Sequence, residues 1–307
     1  MSLSNQIRTI FDHSLANGHL FLTPSSLSIL REYGIDFQVR LAAALGLKPK
    51  TQFNGAPKVY RNPFLPPDPN LTVSQLDTHN ILLNKFCIMK DHLLITTKEF
   101  ESQFSTLNDK DFKAVLHVIN ELQKPEGLLF FYNCGSKSGA SVNHKHIQML
   151  RLDNDDSIPI HSVVMASNSN LHQVFQLKQF QFVHSCMKFN KETLTNIQLE
   201  DAIKKLLIHS KQQINPTLTT TDILSIDPAS ETEPNGFISY NVIFNSNWMM
   251  VVPRLKEGYQ DLSFNINSVG FAGMVLTKSE DEFNQLKVIG PMKVLNSVTF
   301  SLFNNSL

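Results

Sequence analysis

The sequence predicts an α+β protein built on a mostly antiparallel sheet with flanking helices. Strand-like segments follow one another in meanders, and amphipathic helical segments are interspersed among them without regular alternation. Regular alternation of strands and helices would be typical of a doubly wound parallel sheet, so the observed order favours the α+β class. Hydrophobic residues make up 42% of the 307-residue chain, which is enough apolar material for a sizeable core.

Apolar residues at helical spacing predict the helices, and Gly18 is a natural stop for the first of them. The predicted helices are residues 2–17, 108–122 and 196–212. The C-terminal residues 281–303 are also predicted to be helical, with an interruption at Gly290 and Pro291.

Short apolar runs bounded by turn residues predict the strands. These strands are residues 80–84, 92–97 and 128–133, a hairpin of 237–245 with 247–254, and a strand after a small-residue turn within 265–278. Residues 37–45 fit either a strand or a short helix. Loops are predicted for the proline-rich residues 47–70 and for the polar residues 151–170 and 219–236.

The stretch GSKSGASVNHKHIQML, residues 135–150, is the most informative part of the sequence. A glycine- and serine-rich run follows the predicted strand 128–133 and leads into His144, His146 and Gln148, which are spaced two residues apart. Side chains two apart in a strand share a face. The three polar groups are therefore predicted to converge on one strand face beside the turn.

Two chemistries fit this group, and the residues alone leave both open. His144 and His146 are candidate metal ligands, with His161 or His184 as a third. Alternatively, one histidine is a covalent nucleophile for phosphoryl or nucleotidyl transfer, because a neutral imidazole is a good nucleophile near pH 7. The glycine-rich loop then offers backbone N–H groups to phosphate oxygens, and Gln148 offers an amide donor.

Charge and cysteine usage bear on partners and compartment. Lys plus Arg and Asp plus Glu both number 27, and a net charge near zero argues against a nucleic-acid or membrane-surface binder. Cys87, Cys134 and Cys186 stand far apart without a CxxC pair, which is typical of free thiols in a reducing compartment. Because no long apolar run occurs either, we expect a soluble intracellular protein of the cytoplasm, with the nucleus as an additional location. The sequence does not indicate the oligomeric state.

The central motif resembles that of a known family, and the resemblance extends along nearly the whole chain. GASVNHKHIQ, residues 139–148, is similar to the signature of the fungal-type diadenosine tetraphosphate phosphorylases, also called ATP adenylyltransferases. Further similar blocks, in the same order, are HNILLNKF (79–86), FYNCGSKSGAS (131–141), SYNVIFNSNWMMVVPR (239–254) and NSVGFAGMVLTK (267–278). Several branches of the histidine-triad superfamily share HxHxQ, including the galactose-1-phosphate uridylyltransferases, but the last two blocks are more specific. The resemblance implies a histidine-triad-like fold.

The resemblance also implies a reaction, in which inorganic phosphate cleaves a dinucleoside tetraphosphate to ATP and ADP through an AMP attached to histidine. By family analogy His146 is the nucleophile, and the backbone carbonyl of His144 holds its other ring nitrogen. Gln148 occupies the position of a third histidine in hydrolase branches. Because a glutamine cannot protonate a leaving group, transfer is expected rather than hydrolysis. The alternatives are a nucleotidyltransferase or hydrolase for another nucleotide, such as a hexose-1-phosphate uridylyltransferase-like enzyme, and a non-catalytic nucleotide-binding module.

The resemblance further implies nucleotide-binding residues in both halves of the chain. They are Lys48, Asn84, Lys85, Asn133, Gly139, Ala140, Ser141, Val142, Gln148, Asn267, Ser268, Val269, Met274 and Lys278, with Lys50 as an alternative to Lys48. A divalent cation such as Mg²⁺ is expected to accompany the polyphosphate, and no metal bound by the protein itself is expected. The implied partners are nucleotides and inorganic phosphate. Residues 1–165 are expected to form a catalytic region, and residues 170–307 are expected to complete the nucleotide site within one compact unit.

Three positions raise specific questions. Val142 stands where a glutamine is typical of the family, so only its backbone N–H can serve a ligand. Asn143 stands where proline is frequent, which is expected to loosen the approach to His144. Arg254 fits either a phosphate contact or a surface ion pair.

Overall fold

The computed structural model describes residues 1–45, 62–122, 124–259 and 265–302. Within these residues the α-helices are α1 (Leu3–Ala16), α2 (Asp109–Glu121), α3 (His161–Met165), α4 (Asn196–Ile214), α5 (Thr220–Leu224), α6 (Ser268–Phe271), α7 (Glu280–Ile289) and α8 (Pro291–Ser297). The strands are β1 (Phe21–Leu22), β2 (Ser26–Glu32), β3 (Ile35–Leu41), β4 (Thr72–Gln75), β5 (His79–Leu83), β6 (Phe86–Cys87), β7 (Leu93–Thr97), β8 (Leu128–Cys134), β9 (His146–Arg151), β10 (Ser185–Lys188), β11 (Tyr240–Phe244), β12 (Trp248–Pro253) and β13 (Met274–Thr277). Short 3₁₀ helices lie at Ala43–Leu45, Ser136–Ser138, Asp155–Ser157 and Lys191–Thr193.

An eight-stranded sheet with the order β10-β12-β11-β8-β9-β7-β5-β4 forms the centre of the molecule. Every neighbouring pair in it runs antiparallel. The predicted α+β class, with a mostly antiparallel sheet and flanking helices, is therefore confirmed. The pairing of β8 with β11 joins strands from the two halves of the chain into one sheet.

Helices α1, α2 and α4 cover one face of this sheet. Strand alternation sends Phe130 and Tyr132 of β8 and Met149 of β9 to that face, where they pack in one core with Phe112 of α2 and Leu206 of α4. Burying a large apolar side chain contributes roughly 1.5–3 kcal/mol. This core therefore gives firm support to β9, the strand that carries the HxHxQ motif.

The opposite face of the sheet is only partly covered. A three-stranded sheet with the order β13-β3-β2, together with α7 and α8, packs over one part of it and buries Phe37 and Trp248. Over another part, Phe64 packs on Leu82 of β5 and Leu94 of β7. The strip of sheet between these two covers carries the candidate site.

Most of the predicted elements are confirmed. The three predicted helices correspond to α1, α2 and α4, and the C-terminal helix is interrupted at Gly290, whose φ is 88°. The helical prediction was wrong for residues 298–302, because α8 ends at Ser297 and Thr299 and Ser301 form β-bridges instead. β5 pairs with β7, and β11 with β12, as antiparallel neighbours. The small-residue turn before β13 forms the single helical turn α6.

Several elements differ from the prediction. Residues 37–45 combine both predicted forms, because β3 is followed by a 3₁₀ turn. The edge strands β2 and β10 were not predicted; β2 exposes Leu27 and Ile29 and lacks a clean apolar alternation. The predicted loops 151–170 and 219–236 contain α3 and α5, each anchored by a buried residue, Val164 and Ile223. Helices this short depend on packing rather than on periodicity, so the sequence pattern does not reveal them.

The predicted proline-rich loop is described only from residue 62 onwards, since residues 46–61 lie outside the described residues. Within the described part of the chain, no helix is both long enough and apolar enough to cross a membrane.

Candidate active site

Two cavities meet on the open strip of the sheet. The first cavity has a volume of about 660 Å³ and is lined by His146, Phe64 and several prolines of residues 63–69. The second cavity has a volume of about 450 Å³ and lies between the glycine-rich loop and the three-stranded sheet. Asn84, Ser141 and Gln148 line both cavities, so the HxHxQ strand borders their junction.

His146 is the first residue of β9, and one nitrogen of its ring is held by the backbone. Its Nδ1 lies 2.7 Å from the carbonyl oxygen of His144, which can only accept, so Nδ1 carries the proton and Nε2 keeps its lone pair. The backbone N–H of His146 donates to Oε1 of Gln103 at 2.9 Å. Burial lowers the pKa of His146 to about 4, so the ring is neutral near pH 7. His146 thus presents a neutral imidazole with one unprotonated nitrogen to the first cavity.

His144 precedes the strand rather than lying on it. It is fully buried; Asn62 Nδ2 donates to its Nδ1 at 2.9 Å, and its Nε2 donates to the carbonyl oxygen of Thr97 at 2.9 Å. His146 and Gln148 lie on β9 as predicted. His144 lies outside the strand, because β9 begins at His146, but the rings of His144 and His146 both pack against Phe64, with centroids 5.5 Å and 5.3 Å from its ring centroid. His144 contributes its backbone carbonyl, while its ring fixes the segment in place.

The candidate metal ligands are bonded to other protein groups. Both ring nitrogens of His144 have protein partners, as do both nitrogens of His184, whose Nε2 accepts from the backbone N–H of Leu177 at 2.7 Å. Nδ1 of His161 accepts from the indole N–H of Trp248 at 3.0 Å. Nowhere in the described ranges do three or more His, Cys, Asp or Glu side chains form a group suited to a metal ion. The geometry therefore gives no support to the metal alternative.

The glycine-rich loop lies against the C-terminal half of the chain. Gly139 has a φ of +82°, and a Cβ there would lie 3.0 Å from Cβ of Asn267, so both the backbone conformation and the close approach favour glycine. This close approach brings Ala140 and Ser141 to the lining of the second cavity. Val142 lines the first cavity instead. Backbone N–H groups of such a loop are suited to phosphate oxygens.

Asn143 restrains the loop through hydrogen bonds of its side chain. Its Oδ1 accepts from the backbone N–H of Gln103 at 3.2 Å, and its Nδ2 donates to the carbonyl oxygen of Glu231 at 2.9 Å. These two bonds tie the loop to segments on either side. The expectation that asparagine, compared with proline, loosens the approach to His144 stays a prediction.

Most of the other predicted nucleotide-binding residues also line the cavities. Asn84 lines both, and Lys85 lines the first. Those lining the second cavity are Asn133, Asn267, Val269, Met274 and Lys278. Ser268 does not line either cavity; it is fully buried, and its hydroxyl donates to Oδ1 of Asn133 at 2.7 Å. Lys48 and Lys50 lie outside the described residues.

Arg254 is neither a phosphate contact nor a surface ion pair. Its side chain is only 1% exposed, and its guanidinium donates to the carbonyl oxygens of Ile266 at 2.8 Å, Lys256 at 2.9 Å and Glu257 at 3.0 Å. It also donates to the side chain of Asn241 on β11. Both sequence interpretations are therefore wrong: Arg254 anchors the segment leading to α6 onto the sheet. Fully buried arginines are rare, so an accessible position was the natural prediction from the sequence.

Lys145, between the two histidines, joins their segment to helix α2. It is 1% exposed, and its Nζ lies 2.7 Å from Asp111 Oδ2 and 3.1 Å from Glu101 Oε2. His79 Nε2 lies 2.9 Å from the other oxygen of Asp111. Burial opposes ionisation of Asp111, but Lys145 and His79 outweigh it and lower the pKa of the carboxyl group. Sequence reasoning missed this buried network because its members are far apart in the chain.

Two further residues that support the motif were also missed. Gln103 donates to the carbonyl oxygen of Asn133 at 2.7 Å while it accepts from His146. Nε2 of His92 lies 3.0 Å from Oε1 of Gln148. Neither residue lies in a recognisable motif, and only strand pairing brings His92 to the site.

These parts define a class of site. A neutral histidine with one free nitrogen lies beside a glycine-rich loop, an amide and two lysines, around two joined cavities. Such a set is suited to nucleotidyl transfer through a histidine nucleophile.

Comparison with known proteins shows the family. The Ap4A phosphorylase N-terminal domain matches residues 1–167, and the ATP adenylyltransferase C-terminal domain matches residues 178–301. The chain belongs to this family of Ap4A phosphorylases, also called ATP adenylyltransferases. The resemblance recognised in the sequence is therefore confirmed.

Relatives from Saccharomyces cerevisiae align over much of the chain. Diadenosine 5',5'''-P1,P4-tetraphosphate phosphorylase 2 is 30% identical over 309 residues, which cover 93% of this chain and 90% of the relative. Protein APA1 is 27% identical over 220 residues, covering 68% of this chain and 64% of APA1. The crystal structure of yeast Ap4A phosphorylase Apa2 in complex with Ap4A has a TM-score of 0.76 at 27% identity and covers 98% of this chain and 99% of that one. The complex of Apa2 with AMP has a TM-score of 0.78 at 26% identity, covering 98% of both chains.

Proposed function

We propose that this protein cleaves diadenosine tetraphosphate (Ap4A) with inorganic phosphate, giving ATP and ADP through AMP attached covalently to His146. The observation that carries the proposal is the hydrogen bond from Nδ1 of His146 to the carbonyl oxygen of His144, which leaves Nε2 unprotonated at the first cavity. Support also comes from the relatives, which include an Ap4A phosphorylase solved with Ap4A and with AMP.

In the first step, Nε2 of His146 attacks the α-phosphorus next to one adenosine. A bond from Nε2 to phosphorus forms, the bond from phosphorus to the triphosphate oxygen breaks, and ATP leaves with the electron pair. The ring becomes cationic because Nδ1 keeps its proton. The carbonyl oxygen of His144, at 2.7 Å, accepts from that N–H and stabilises the charge.

In the second step, an oxygen of inorganic phosphate attacks the same phosphorus from the side that ATP has left. The bond between phosphorus and Nε2 breaks, its electron pair returns to the ring, and ADP is released. Burial, which lowers the pKa of His146 to about 4, keeps the regenerated imidazole neutral for the next cycle.

Gln148 favours transfer over hydrolysis. Its amide can donate hydrogen bonds to phosphate oxygens but carries no acidic proton. A polyphosphate is a leaving group that needs little protonation, so phosphorolysis can proceed without a general acid.

Cations neutralise the polyphosphate in this proposal. Lys85 at the first cavity and Lys278 at the second serve as point charges. A divalent cation such as Mg²⁺ travels with the polyphosphate and screens its clustered charge. The substrates are thus a nucleotide with its cation and inorganic phosphate.

A cytoplasmic location, with the nucleus in addition, is also part of the proposal. Cys87, Cys134 and Cys186 are buried free thiols, which supports a reducing compartment. Fluorescence microscopy of the tagged protein tests this, and signal confined to a secretory compartment would contradict it.

Product analysis tests the reaction. Purified protein is incubated with Ap4A and Mg²⁺, with and without inorganic phosphate, and the nucleotides are separated by anion exchange. We expect repeated turnover to ATP and ADP in equal amounts only when phosphate is present; without phosphate, at most one ATP per active site should form as AMP–His146 accumulates. His146→Ala should abolish both products, whereas His13→Ala, on the exposed face of α1, should match the wild type. ATP plus AMP, or two ADP, formed without phosphate would identify a hydrolase instead.

A further inference from the structure

The carboxamide of Gln148 is held at one end only. Its Oε1 lies 3.0 Å from Nε2 of His92, whereas its own Nε2 has no protein acceptor among the described residues. The side chain lines both cavities. The two ends of a carboxamide have nearly the same shape, so a half-turn exchanges a donor for an acceptor. The group that holds the oxygen therefore decides which end faces the cavities.

Strand register brings His92 to Gln148. Leu94 of β7 pairs with Gln148 of β9, which places His92 two residues away on the same face and within reach of a long side chain. The backbone N–H of Asn84 donates to the carbonyl oxygen of His92 at 2.9 Å, which extends the pairing of β5 with β7. The ring of Phe131 on β8 lies 6.1 Å away, measured between ring centroids. The backbone of His92 is thus held by Asn84, and its ring contacts residues of β8 and β9.

The contact requires a proton on Nε2 of His92, because an amide oxygen only accepts. Burial lowers the pKa of His92 to about 4, so the neutral ring carries a single proton. Nδ2 of Asn84 lies 3.3 Å from Nδ1 and 3.2 Å from Nε2 of the ring, and this donor meets a lone pair only on the unprotonated Nδ1. Asn84 cannot reverse its amide freely, since its Oδ1 accepts from the backbone N–H of Phe86 at 3.0 Å.

We propose that His92 is a positioning residue that holds Oε1 of Gln148, so that the amide N–H groups of Gln148 point at the non-bridging oxygens of the reacting phosphate. This inference rests on the proposed function. Without His92 the carboxamide populates both orientations. The reversed orientation presents an oxygen lone pair to an anionic phosphate, which is repulsive, and the donor is absent when charge develops in the transition state.

Two substitutions separate this role from simple packing. His92→Leu removes the donor and substitutes an apolar side chain of similar reach. His92→Gln instead places an amide N–H near the original Nε2 position. Single-turnover formation of AMP–His146 from Ap4A, without inorganic phosphate, is measured by rapid quench. We expect His92→Leu to lower the maximal rate roughly 10-fold, the scale of one lost hydrogen bond, with half-saturation changed less than about 2-fold. His92→Gln should recover most of the rate.

A double-mutant cycle shows whether the effect passes through Gln148. In a Gln148→Leu background no carboxamide remains to be oriented, so adding His92→Leu should cause no further loss. Additive losses in the double variant would overturn the inference. So would equal losses in His92→Leu and His92→Gln, or an unchanged rate in His92→Leu.

Different experimental outcomes would contradict the proposed function and this inference. If the wild-type protein forms no AMP–His146 adduct, the proposed function is contradicted. If the adduct forms at a rate that does not change in the His92 variants, only the positioning role is contradicted. If His92→Leu does not fold, His92→Asn provides the comparison, because its shorter amide retains polarity but cannot reach Gln148. An unchanged rate in His92→Asn would then overturn the inference.

Discussion

At the scale of the residue, one hydrogen bond and burial prepare His146 for the proposed role of nucleophile. The carbonyl oxygen of His144 selects the tautomer of His146, and burial keeps the ring neutral. Neither effect requires a carboxylate or a metal ion. The unprotonated nitrogen is therefore a consequence of local backbone geometry and desolvation.

Adduct formation on His146 is expected to be nearly independent of pH between about 7 and 5. Burial disfavours the imidazolium and lowers the pKa of His146 to about 4, so the Nε2 lone pair is lost only as the pH falls through that value. An unperturbed imidazole would titrate near 6.5. Single-turnover rates measured across this range, with the folded fraction checked at each pH, test the expectation. A midpoint near 6.5 would contradict it.

Lys145 offers a stability test of the buried network. Lys145→Met leaves the carboxylate of Asp111 buried without its ammonium partner, so we expect the free energy of unfolding to fall by about 3 kcal/mol. Lys204→Met is the matched control, because it removes an exposed pair with Glu200 and should cost less than about 0.5 kcal/mol. Urea denaturation measures both, and equally small losses would contradict a structural role for Lys145.

At the scale of the element, the glycine-rich loop is where the two halves of the chain come closest around the site. Gly139 permits this approach to Asn267, and Asn143 ties the far end of the loop to its surroundings. The loop position depends on both residues. Small displacements there would move backbone N–H groups away from the phosphate position that the proposed function requires.

Gly139→Ala is expected to lower kcat/KM for Ap4A by about 10- to 100-fold, because its Cβ pushes the loop away from Asn267. Gly236→Ala is the matched control: its φ of +75° is equally unfavourable for alanine, but a Cβ there meets nothing within 4 Å. Both variants should lose about 1–2 kcal/mol of stability, and only Gly139→Ala should lose activity. Steady-state kinetics with thermal denaturation measures both effects. Similar activities in the two variants would contradict the importance of the close approach.

Local patterns predicted the elements and the residues that are close in sequence. The long helices and the hairpin β11–β12 have clear periodicity, and the HxHxQ spacing placed His146 and Gln148 together on one strand face. The family resemblance supplied the role of the His144 carbonyl, which the ring geometry of His146 bears out.

The remaining features depend on pairing between distant segments, which a single sequence does not encode in a readable pattern. His92 reaches Gln148 only because Leu94 pairs with it. The burial of Arg254 arises from tertiary packing alone, so no pattern in the sequence indicates it. The sequence therefore predicted a phosphate contact or a surface ion pair for this residue. Short elements such as α5 are stabilised in the same way.

At the scale of the whole molecule, the central sheet unites the two halves of the chain. The pairing of β8 with β11 and the bonds among Asn133, Asn241 and Ser268 cross between the two regions matched by the family comparisons. The second cavity is lined from both halves. The expectation of an N-terminal catalytic region completed by a C-terminal region stays a prediction.

The stability of the whole molecule is expected to fall as the pH drops from about 6.5 towards 4. Burial lowers the pKa of His92, His146 and His184 to about 4 each, so the unfolded chain binds protons in this window that the folded chain excludes. In the middle of this window, each histidine should lower the free energy of unfolding by roughly 1 kcal/mol for each unit that the pH falls. Urea denaturation between pH 7 and 5 measures the slope, and His184→Gln should reduce it by less than a third, because burial also lowers the pKa of His144, His161 and His209. A flat profile would contradict the burial of these histidines in neutral form.

The central claim is that His146 carries AMP between the two half-reactions, and intact-protein mass spectrometry tests it most directly. The protein is mixed with Ap4A and Mg²⁺ without inorganic phosphate, quenched at neutral to alkaline pH, and mapped by peptide fragmentation. We predict one AMP per chain on His146, lost on addition of phosphate with release of ADP, and absent in His146→Ala. Turnover without any adduct, or an adduct on a different residue, would contradict the account.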